Sequence, residues 1–366
     1  MTAHIIAAVR SAVVPRGGAF AALSLDQLGA PVLQAALAQA QVSSDRVDEV
    51  IVSNALGGGG NPARLVALAA SLPDSVAGLS IDRQCAGGLD ALLLAKALIE
   101  SGAAHIVVAG GVESYSRRPQ RFRTYADGSP PEAYGQPPFV PWPERDPDMA
   151  AAADALATAR RISRAEQDAW AVRSHAAALE NRASLAEVIP LAGQSDDPFA
   201  RRMTLKLAAR AKEVHGSITA ANMAVAADAA AFCVVVSEEV MRALGADGVA
   251  ILGGASKGST PEMPGIAPLA AIRAALHQTK LAPSDITTAE VMEAFAVQAI
   301  ACVQGAGLDP DCVNRSGGAL ARGHPIGASG TINAVRLYHE LRQHGGTGLA
   351  TIAAAGGIAS ALVLHA

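Results

Sequence analysis

The sequence predicts an α/β protein made of two similar halves, with an insertion in the first half. Three observations support this prediction: apolar β-branched runs alternate with helical segments, two distant parts of the chain share one pattern, and the middle has its own composition. With 366 residues, the chain is long enough for two or three domains and a large hydrophobic core. Half of the residues are hydrophobic but only 3% are aromatic, and 35 are Gly. This bias towards small residues indicates close backbone packing between helices and sheets.

Four apolar, β-branched segments predict strands, and segments with helical periodicity lie among them. Strands that alternate with helices are typical of layered α/β domains. The predicted strands are residues 48–54, 105–109, 232–237 and 349–353. The predicted helices are residues 26–40, 89–101, 163–183, 268–279 and 331–344.

One sequence pattern occurs twice. The first copy begins at residue 81 with I-D-R-Q-C-A-G-G-L and leads through a helix into H-I-V-V-A-G-G. The second begins at residue 313 with V-N-R-S-G-G-A-L-A-R-G-H-P-I-G and leads through a helix into A-T-I-A-A-A-G-G. Each copy runs from a short strand through small residues and a helix to a strand that ends in Gly-Gly. The period is far too long for a solenoid, so the pattern indicates two duplicated halves.

The middle of the chain, residues 116–215, differs from both halves. It is rich in Pro near its start and carries 15 Lys and Arg against 13 Asp and Glu, whereas the remaining residues carry 14 against 20. A mildly basic insertion suits an anionic ligand, and an ordinary solvated surface explains the same charges equally well. We expect residues 1–115 and 216–245 to form the first half, residues 116–215 the insertion, and residues 246–366 the second half.

Several classes of function find no support in the composition. The net charge is −4, and no basic run with interleaved aromatic residues predicts nucleic-acid binding. No stretch of 18 apolar residues predicts a membrane span, and the first residues do not resemble a signal peptide. The four cysteines lack the spacing of a zinc site or a disulfide framework. We therefore expect free thiols, no metal and a cytoplasmic protein.

Cys85 is the best candidate for a nucleophile. It follows a short strand and precedes a helix, and the two glycines after Ala86 leave room for a substrate. A thiol at a helix N-terminus faces the positive end of the helix dipole, which predicts a lowered pKa and a reactive thiolate. The competing interpretation is a buried cysteine that acts as a small apolar residue. Of the other cysteines, Cys233 and Cys302 are expected in the core, and Cys312 in a loop without a partner.

His324 is the candidate for a general base or an oxyanion donor. It lies among glycines in G-G-A-L-A-R-G-H-P-I-G-A-S-G, and the Pro after it restricts its backbone to an extended conformation. The turn lacks the Lys-Ser/Thr ending of a P-loop, so a phosphate cradle is disfavoured. Two further features are open to either a structural or a functional interpretation. Glu293 is a carboxylate in the apolar sequence V-M-E-A-F-A, and the strands that end at Gly111 and Gly357 offer N–H groups to an oxyanion.

Together these motifs resemble the thiolase family, the acyl-CoA acyltransferases that form or cleave 3-ketoacyl-CoA. The resemblance covers nearly the whole chain and implies a five-layered α-β-α-β-α fold of two duplicated halves, each with a five-stranded mixed sheet. It also implies a loop domain that covers the active site and binds CoA, an acyl-CoA substrate and no cofactor. The six motifs, in family order, are V-R-S-A-V, R-Q-C-A-G-G-L, A-G-G-V-E-S-Y-S, R-A-E-Q-D-A-W-A-V-R-S-H, M-E-A-F-A and V-N-R-S-G-G-A-L-A-R-G-H-P-I-G-A-S-G.

The resemblance also implies partners and residue roles. It implies a homodimer or homotetramer, with residues 48–54 or 80–84 pairing across subunits, and it leaves room for a helper protein. Cys85 would take the acyl group from a thioester, and His324 would activate Cys85 and help form an oxyanion hole. The backbone N–H groups of Cys85 and Gly356 would form a second oxyanion hole.

The chain departs from the family pattern around the substrate. Ala353 stands where the family has a second cysteine, the acid or base that exchanges the Cα proton of acetyl-CoA. Met292 replaces the Asn of the family's N-E-A-F, and the family's T-A-G-N-A-S-G reads T-A-A-N-M-A-V around Asn222. We expect Met292, Glu293, Phe295, Ala353 and Asn222 to form the substrate site, with altered contacts.

Three hypotheses follow from these departures. The first is an acyl-CoA acyltransferase that forms an acyl-enzyme on Cys85 and has an atypical second half-reaction. The second is an ordinary acetyl-CoA acetyltransferase or 3-ketoacyl-CoA thiolase in which Cys302, Cys312 or a histidine supplies the displaced acid or base. The third is a non-catalytic homologue that binds acyl-CoA or a partner chain.

Overall fold

The computed structural model describes residues 2–366, apart from the side chain of residue 184. The first half begins with a strand and then alternates strands with helices, as its sequence pattern predicts. Its elements are β1 (Ala3–Ser11), β2 (Val14–Pro15), α1 (Leu25–Ala40), β3 (Glu49–Ser53), α2 (Pro62–Ala69), β4 (Leu79–Ile81), α3 (Gly87–Glu100) and β5 (Ile106–Ser114).

The insertion follows β5, and the chain then returns to the first half. Because β10 pairs with β9, the insertion extends a few residues beyond its predicted end at residue 215. The elements of the insertion are β6 (Arg121–Arg123), β7 (Glu132–Tyr134), α4 (Met149–Arg160), α5 (Arg164–Glu180), β8 (Val188–Ile189), α6 (Leu205–Ala209), β9 (Glu213–His215) and β10 (Ile218–Thr219). The first half is completed by β11 (Ala227–Ser237) and α7 (Glu238–Ala243).

The second half starts after α7. The predicted boundary between residues 245 and 246 lies in the loop between α7 and the first strand of the second half. It repeats the order of strands and helices found in the first half. Its elements are β12 (Val249–Gly258), α8 (Pro268–Thr279), β13 (Thr288–Val291), α9 (Ala296–Ala306), α10 (Ala319–Arg322), α11 (Ile326–His344), β14 (Thr347–Ala354) and β15 (Ile358–His365).

The long strands pair in the order β13-β14-β15-β12-β1-β11-β5-β3-β4. The first half contributes five of these strands, β1, β11, β5, β3 and β4, and the second half contributes β13, β14, β15 and β12. The two halves meet at a short pairing between β1 and β12. The second half was expected to have five strands. At the fifth position Val313 forms an isolated bridge to Ala289 of β13, just as β4 pairs with β3 in the first half.

Helices form three layers around the two parts of the sheet. α1 and α2 pack on the outer face of the first part, α8 and α9 on the outer face of the second, and α3 and α11 lie between them. The alternation of strand side chains separates these layers: Val107 of β5 faces α3 and α11, whereas Val108 faces α1. The predicted five-layered fold of two duplicated halves is confirmed.

The central helices pack very closely, and this explains where α11 begins. A Cβ at Gly88 of α3 would lie 2.5 Å from the Thr331 nitrogen, and a Cβ at Gly330 of α11 would lie 2.5 Å from the Leu89 nitrogen. The sequence predicts that α11 starts at residue 331, but it starts at Ile326. The glycines there were interpreted as a flexible turn, whereas they allow two helices to touch.

The Gly-Gly pair of β5 also has a packing role. The strand was predicted to end at Gly111, but it continues to Ser114, and Gly111 pairs with β11 on one side and β3 on the other. A Cβ at Gly111 would lie 2.1 Å from the carbonyl oxygen of Gly327 in α11. The suggestion that this glycine serves an oxyanion is therefore wrong, because its peptide groups belong to the sheet.

A buried ion network attaches the insertion to both halves. Arg10 of β1 binds both carboxylate oxygens of Asp197 (2.8 and 2.9 Å) and contacts Glu187 at 3.3 Å. Glu187 also accepts a hydrogen bond from Arg336 of α11 at 2.9 Å. All four side chains are almost completely buried, so each charge depends on its partners. None of the helices in the described part of the chain has the length and apolarity that a membrane span requires.

Candidate active site

A cavity of about 480 Å³ lies where the two halves and the insertion meet. Its wall includes Cys85 and Tyr115 from the first half, residues of α4 from the insertion, and His324 and the end of β14 from the second half. Of the residues predicted from the sequence, Cys85, His324, Phe295 and Ala353 line this cavity. The structure thus brings the two chemically active candidates into one place.

A tight turn holds Cys85 at the start of α3. The Gln84 N–H donates a hydrogen bond to the Asp82 carboxylate at 2.8 Å, and Gln84 has a φ of 48°, in the left-handed region. α3 begins two residues after Cys85, so the thiol lies beside the helix N-terminus as predicted. A Cβ at Gly87 would lie 2.2 Å from the Ser53 hydroxyl oxygen, so this turn requires glycine there.

The His324 side chain is fixed on both sides of its ring. Nε2 lies 3.0 Å from the Cys85 sulfur, and Nδ1 lies 2.6 Å from Ser329 Oγ. The Ser329 hydroxyl donates its proton to the Pro325 carbonyl oxygen at 2.9 Å. Because that proton is used, Nδ1 carries the ring proton and donates to Ser329, and Nε2 presents its lone pair to the thiol. The ring is therefore oriented as a base towards Cys85.

Burial sets the protonation states of this pair. Loss of water around the thiol, with smaller effects of Glu113 and Asp82, raises the pKa of Cys85 to about 12. Burial also lowers the pKa of His324 to about 4. The prediction of a lowered thiol pKa is wrong, because desolvation outweighs the helix dipole at this position. At neutral pH the pair is a neutral thiol beside a neutral imidazole.

Two backbone N–H groups counteract this effect at the sulfur. They belong to Cys85 itself and to Ala355, and both favour negative charge there. Gly356, which the resemblance implies for this role, follows Ala355 in the turn between β14 and β15 and has a φ of 77°. The structure therefore brings the amide of Ala355 to the sulfur, and Gly356 shapes the turn that carries it.

Glu293 lies outside the cavity wall and accepts hydrogen bonds at both carboxylate oxygens. Because its donors come from α5, from the residues before α10 and from α10 itself, it joins the insertion to the second half. Its described partners therefore favour the structural interpretation of this carboxylate. The donors are Trp170 Nε1 (2.9 Å), Ser174 Oγ (2.7 Å), Asn314 Nδ2 (2.9 Å) and the Leu320 N–H (3.2 Å).

Asn222 and Met292 are also placed behind the cavity wall. The Asn222 side chain accepts a hydrogen bond from the Thr219 N–H at 2.8 Å and donates to the Ser217 carbonyl oxygen at 3.0 Å. It thereby shapes the segment whose next residue, Met223, lines the cavity. Met292 is only 2% exposed and packs in the core around α3 and α11.

Sequence reasoning did not identify three residues at the site: Glu113, Ser329 and Tyr115. Glu113, at the end of β5, accepts hydrogen bonds from the Gly327 N–H (2.9 Å) and Asn54 Nδ2 (2.8 Å) and so ties the start of α11 to the first half. Burial raises the pKa of this carboxyl to about 7. The motif A-G-G-V-E-S-Y-S contains both Glu113 and Tyr115, but their roles depend on partners distant in sequence.

The remaining cysteines do not line the cavity, and Cys302 lies directly behind its wall. Cys233 and Cys302 are fully buried, which confirms that they belong to the core, and Cys312 is 4% exposed in the core beneath α8 and α9. The Cys302 thiol contacts the carbonyl oxygen of Gly265 at 3.3 Å. Within the described residues, no group of three His, Cys, Asp or Glu side chains is arranged to hold a metal ion.

A duplicated α/β fold with a cysteine–histidine pair at the junction of its halves is the architecture of thiolase-type acyltransferases. Comparison with family models identifies this class directly. The thiolase N-terminal domain matches residues 3–239, and the thiolase C-terminal domain matches residues 248–366. The chain belongs to the thiolase family and is an acyltransferase.

Full-length relatives agree with this assignment. The chain is 39% identical to YhfS of Bacillus subtilis, provisionally named an acetyl-CoA C-acetyltransferase, over 100% of this chain and 99% of the relative. The crystal structure of the Bacillus anthracis acetyl-CoA acetyltransferase matches with a TM-score of 0.92 at 34% identity, covering 100% of this chain and 98% of the other. The Acat5 thiolase of Ascaris suum, solved in complex with coenzyme A, matches with a TM-score of 0.92 at 30% identity over the full length of both chains.

Proposed function

We propose that the chain forms an acyl-enzyme on Cys85 from an acyl-CoA thioester. The observation that carries this proposal is the 3.0 Å contact between the Cys85 sulfur and His324 Nε2, with the ring proton held on Nδ1 by Ser329. The sulfur attacks the thioester carbonyl carbon while its proton passes to Nε2. The carbonyl oxygen becomes negatively charged, and hydrogen-bond donors near the sulfur, such as the amide of Ala355, stabilise it. The C–S bond then breaks, and CoA leaves as its thiolate.

The shape of the cavity supports an acyl group larger than acetyl as a substrate. Beyond Cys85, its wall is formed by apolar residues of α4, including Ala153 and Leu156, and by Phe295. Apolar surface of this kind favours a hydrocarbon chain, since each buried methylene contributes about 0.8 kcal/mol. The relatives named above for acetyl-CoA chemistry set the lower limit of the substrates to test.

We further propose that the step with proton exchange at Cα, which is the second half-reaction of condensation and the first of cleavage, differs from the usual one. Ala353 lines the cavity and has no proton to exchange. The hypothesis of a displaced cysteine loses support, because Cys302 and Cys312 pack in the core of the second half. Among the described lining residues, His324 is the one histidine. A different group must therefore handle the Cα proton, or the acceptor must need no such group.

A homo-oligomer, a cytoplasmic location and a helper protein remain predictions. For the oligomer, β4 is the strand at one end of the strand order, and Leu79 within it is 42% exposed. This strand overlaps the segment at residues 80–84 that was predicted to pair across subunits. An open sheet edge favours such pairing. Light scattering on the purified chain measures the number of subunits.

The proposed acyl-enzyme is tested by intact mass. We expect incubation with acetyl-CoA and longer acyl-CoAs to add one acyl group to the protein, and we expect Cys85→Ala to remove the adduct. Cys312→Ala is the matched control, since it removes a buried thiol away from the cavity and should leave the adduct unchanged. If no chain length gives an adduct, the acyl-enzyme is refuted and the third hypothesis, a non-catalytic acyl-CoA-binding protein, is favoured.

A further inference from the structure

Cleavage of a 3-ketoacyl-CoA requires a proton donor that Cys85 and His324 do not provide. When the Cys85 sulfur attacks the 3-keto carbon, the Cα–Cβ bond breaks and leaves a carbanion at Cα of acetyl-CoA. His324 has by then taken the thiol proton and is directed at the sulfur. A second acid must therefore reach the carbanion at Cα, and the Ala353 side chain carries no acidic group.

Apart from Cys85 and His324, the cavity wall contains one side chain that carries a transferable proton at neutral pH. Apart from Cys85 and His324, the titratable side chains among the described lining residues are Tyr115, Arg118 and Arg121. Guanidinium groups do not release protons in proteins. Tyr115 is therefore the remaining candidate.

The position of Tyr115 suits this role. It directly follows β5, the strand that also carries Glu113, and it lines the cavity together with Cys85. The Arg118 guanidinium lies 5.2 Å from the centre of its ring and covers one face. Within the described residues, no hydrogen-bond partner occupies its hydroxyl, which is free to act on a substrate. The charge of Cys85 affects the ionisation of Tyr115, so the two groups lie within electrostatic reach of each other.

We propose that Tyr115 is the proton donor for carbon–carbon bond cleavage, in place of the cysteine that the family has at position 353. The proposal rests on the acyl-enzyme at Cys85 and extends it to 3-ketoacyl-CoA as the substrate class. Burial, with a smaller effect of the Cys85 charge, raises the pKa of Tyr115. The phenol therefore stays protonated at neutral pH, which suits a proton donor.

The protons balance over the two half-reactions. In the first, the Cys85 proton passes to His324, the C–S bond forms, the Cα–Cβ bond breaks, and the Tyr115 hydroxyl protonates Cα to release acetyl-CoA. In the second, the thiol of free CoA gives its proton to the Tyr115 phenolate and attacks the acyl-enzyme. The Cys85 thiolate then leaves and recovers its proton from His324, which restores the starting state.

The test compares two acyl donors that give the same acyl-enzyme adduct. Acetyl-CoA and acetoacetyl-CoA both leave an acetyl group on Cys85, and rapid quenching with intact mass measures its rate of formation. A thiol ionises near pH 8.5, so CoA leaves from acetyl-CoA without an acid, whereas the carbanion from acetoacetyl-CoA needs one. In Tyr115→Phe we expect acetylation from acetyl-CoA to stay close to the wild-type rate. We expect acetylation from acetoacetyl-CoA to fall by about 10²–10⁴-fold.

Tyr125→Phe is the matched control, because Tyr125 is an exposed residue of the insertion; both of its rates should equal those of the wild type. The acetyl-CoA reaction also shows that Tyr115→Phe is folded, and Tyr115→Met should reproduce the same split between donors. Equal losses with both donors, or no loss with either, would overturn the role of Tyr115. A wild type acetylated by acetyl-CoA but not by acetoacetyl-CoA would also overturn it, while leaving the acyl-enzyme intact. Absence of any adduct would overturn both proposals.

Discussion

Replacing Ser329 by Ala isolates the orientation of the catalytic base. The Ser329 hydroxyl accepts a hydrogen bond from His324 Nδ1 at 2.6 Å and donates to the Pro325 carbonyl oxygen. Ser329 is 3% exposed and lies behind the imidazole ring, so the substitution removes no part of the cavity wall. Ser329→Ala leaves the nucleophile and the base in place and removes only the group that fixes the tautomer.

The structure sets the size of the effect. As the thiol proton reaches Nε2, His324 becomes an imidazolium whose Nδ1–H donates to Ser329. A hydrogen bond to a charged group contributes about 1.5–3 kcal/mol. At about 1.4 kcal/mol for each tenfold change, acylation should slow by about 10- to 150-fold. Burial already lowers the pKa of His324 to about 4, and loss of this acceptor lowers it further, so the base is weaker at every working pH.

The assay is the rate of acyl-enzyme formation from acetyl-CoA, measured by rapid quenching and intact mass at saturating substrate. The matched control is Ser316→Ala, which removes a buried hydroxyl that donates to Glu340 at 2.8 Å, outside the cavity wall. It should acylate at the wild-type rate. A wild-type rate in Ser329→Ala would refute the assignment of the Nδ1 proton and, with it, the orientation of His324 as a base.

Three further predictions follow from the same structure. Because burial raises the pKa of Cys85 to about 12, its alkylation by iodoacetamide should rise roughly tenfold per pH unit between pH 6 and 9; a plateau near neutral pH would instead indicate a thiolate–imidazolium pair. Asp197→Ala leaves a buried charge in the ion network without its main partner and should cost about 3–5 kcal/mol in urea unfolding, whereas the neighbouring, half-exposed Asp196→Ala should cost at most about 1 kcal/mol. In the Tyr115→Phe background, Ala353→Cys places a thiol on the cavity wall and should restore part of the acetoacetyl-CoA cleavage rate, whereas Met292→Asn should only destabilise the fold because Met292 is a core residue; no recovery in the double variant would contradict the need for an acid beside Cα.

The parts of the site that sequence reasoning predicted are those encoded locally. Cys85 precedes a helix and His324 lies in a glycine-rich segment, and both features are visible within a few residues. The structure adds their 3.0 Å contact, which brings together positions 239 residues apart. The alternation of strands and helices likewise predicts the layers, because it depends on periodicity within each segment.

The parts that it missed depend on contacts distant in sequence. Gly88 was expected to leave room for a substrate and Gly330 to lie in a turn, but each is required because the opposite helix backbone lies too close for a Cβ. Glu293 and Glu113 are both carboxylates in apolar sequence, and nothing local distinguishes their hydrogen-bond donors. The pKa of Cys85 was predicted to be lowered, but it is raised. The helix dipole is a local property, whereas desolvation is set by the whole surrounding fold.

The two buried carboxylates explain how an uncharged pair can remain ready to react. Glu113 holds the start of α11 through the Gly327 N–H, three residues from His324, and Glu293 holds the start of α10 through the Leu320 N–H. Both fix the backbone on which His324 is carried. Burial is the main cause of the raised pKa of Cys85, and the negative charge of Glu113 adds to it, so the nucleophile is a thiol at neutral pH. The fixed placement of His324 beside Cys85, and not a standing thiolate, therefore keeps this pair ready to react.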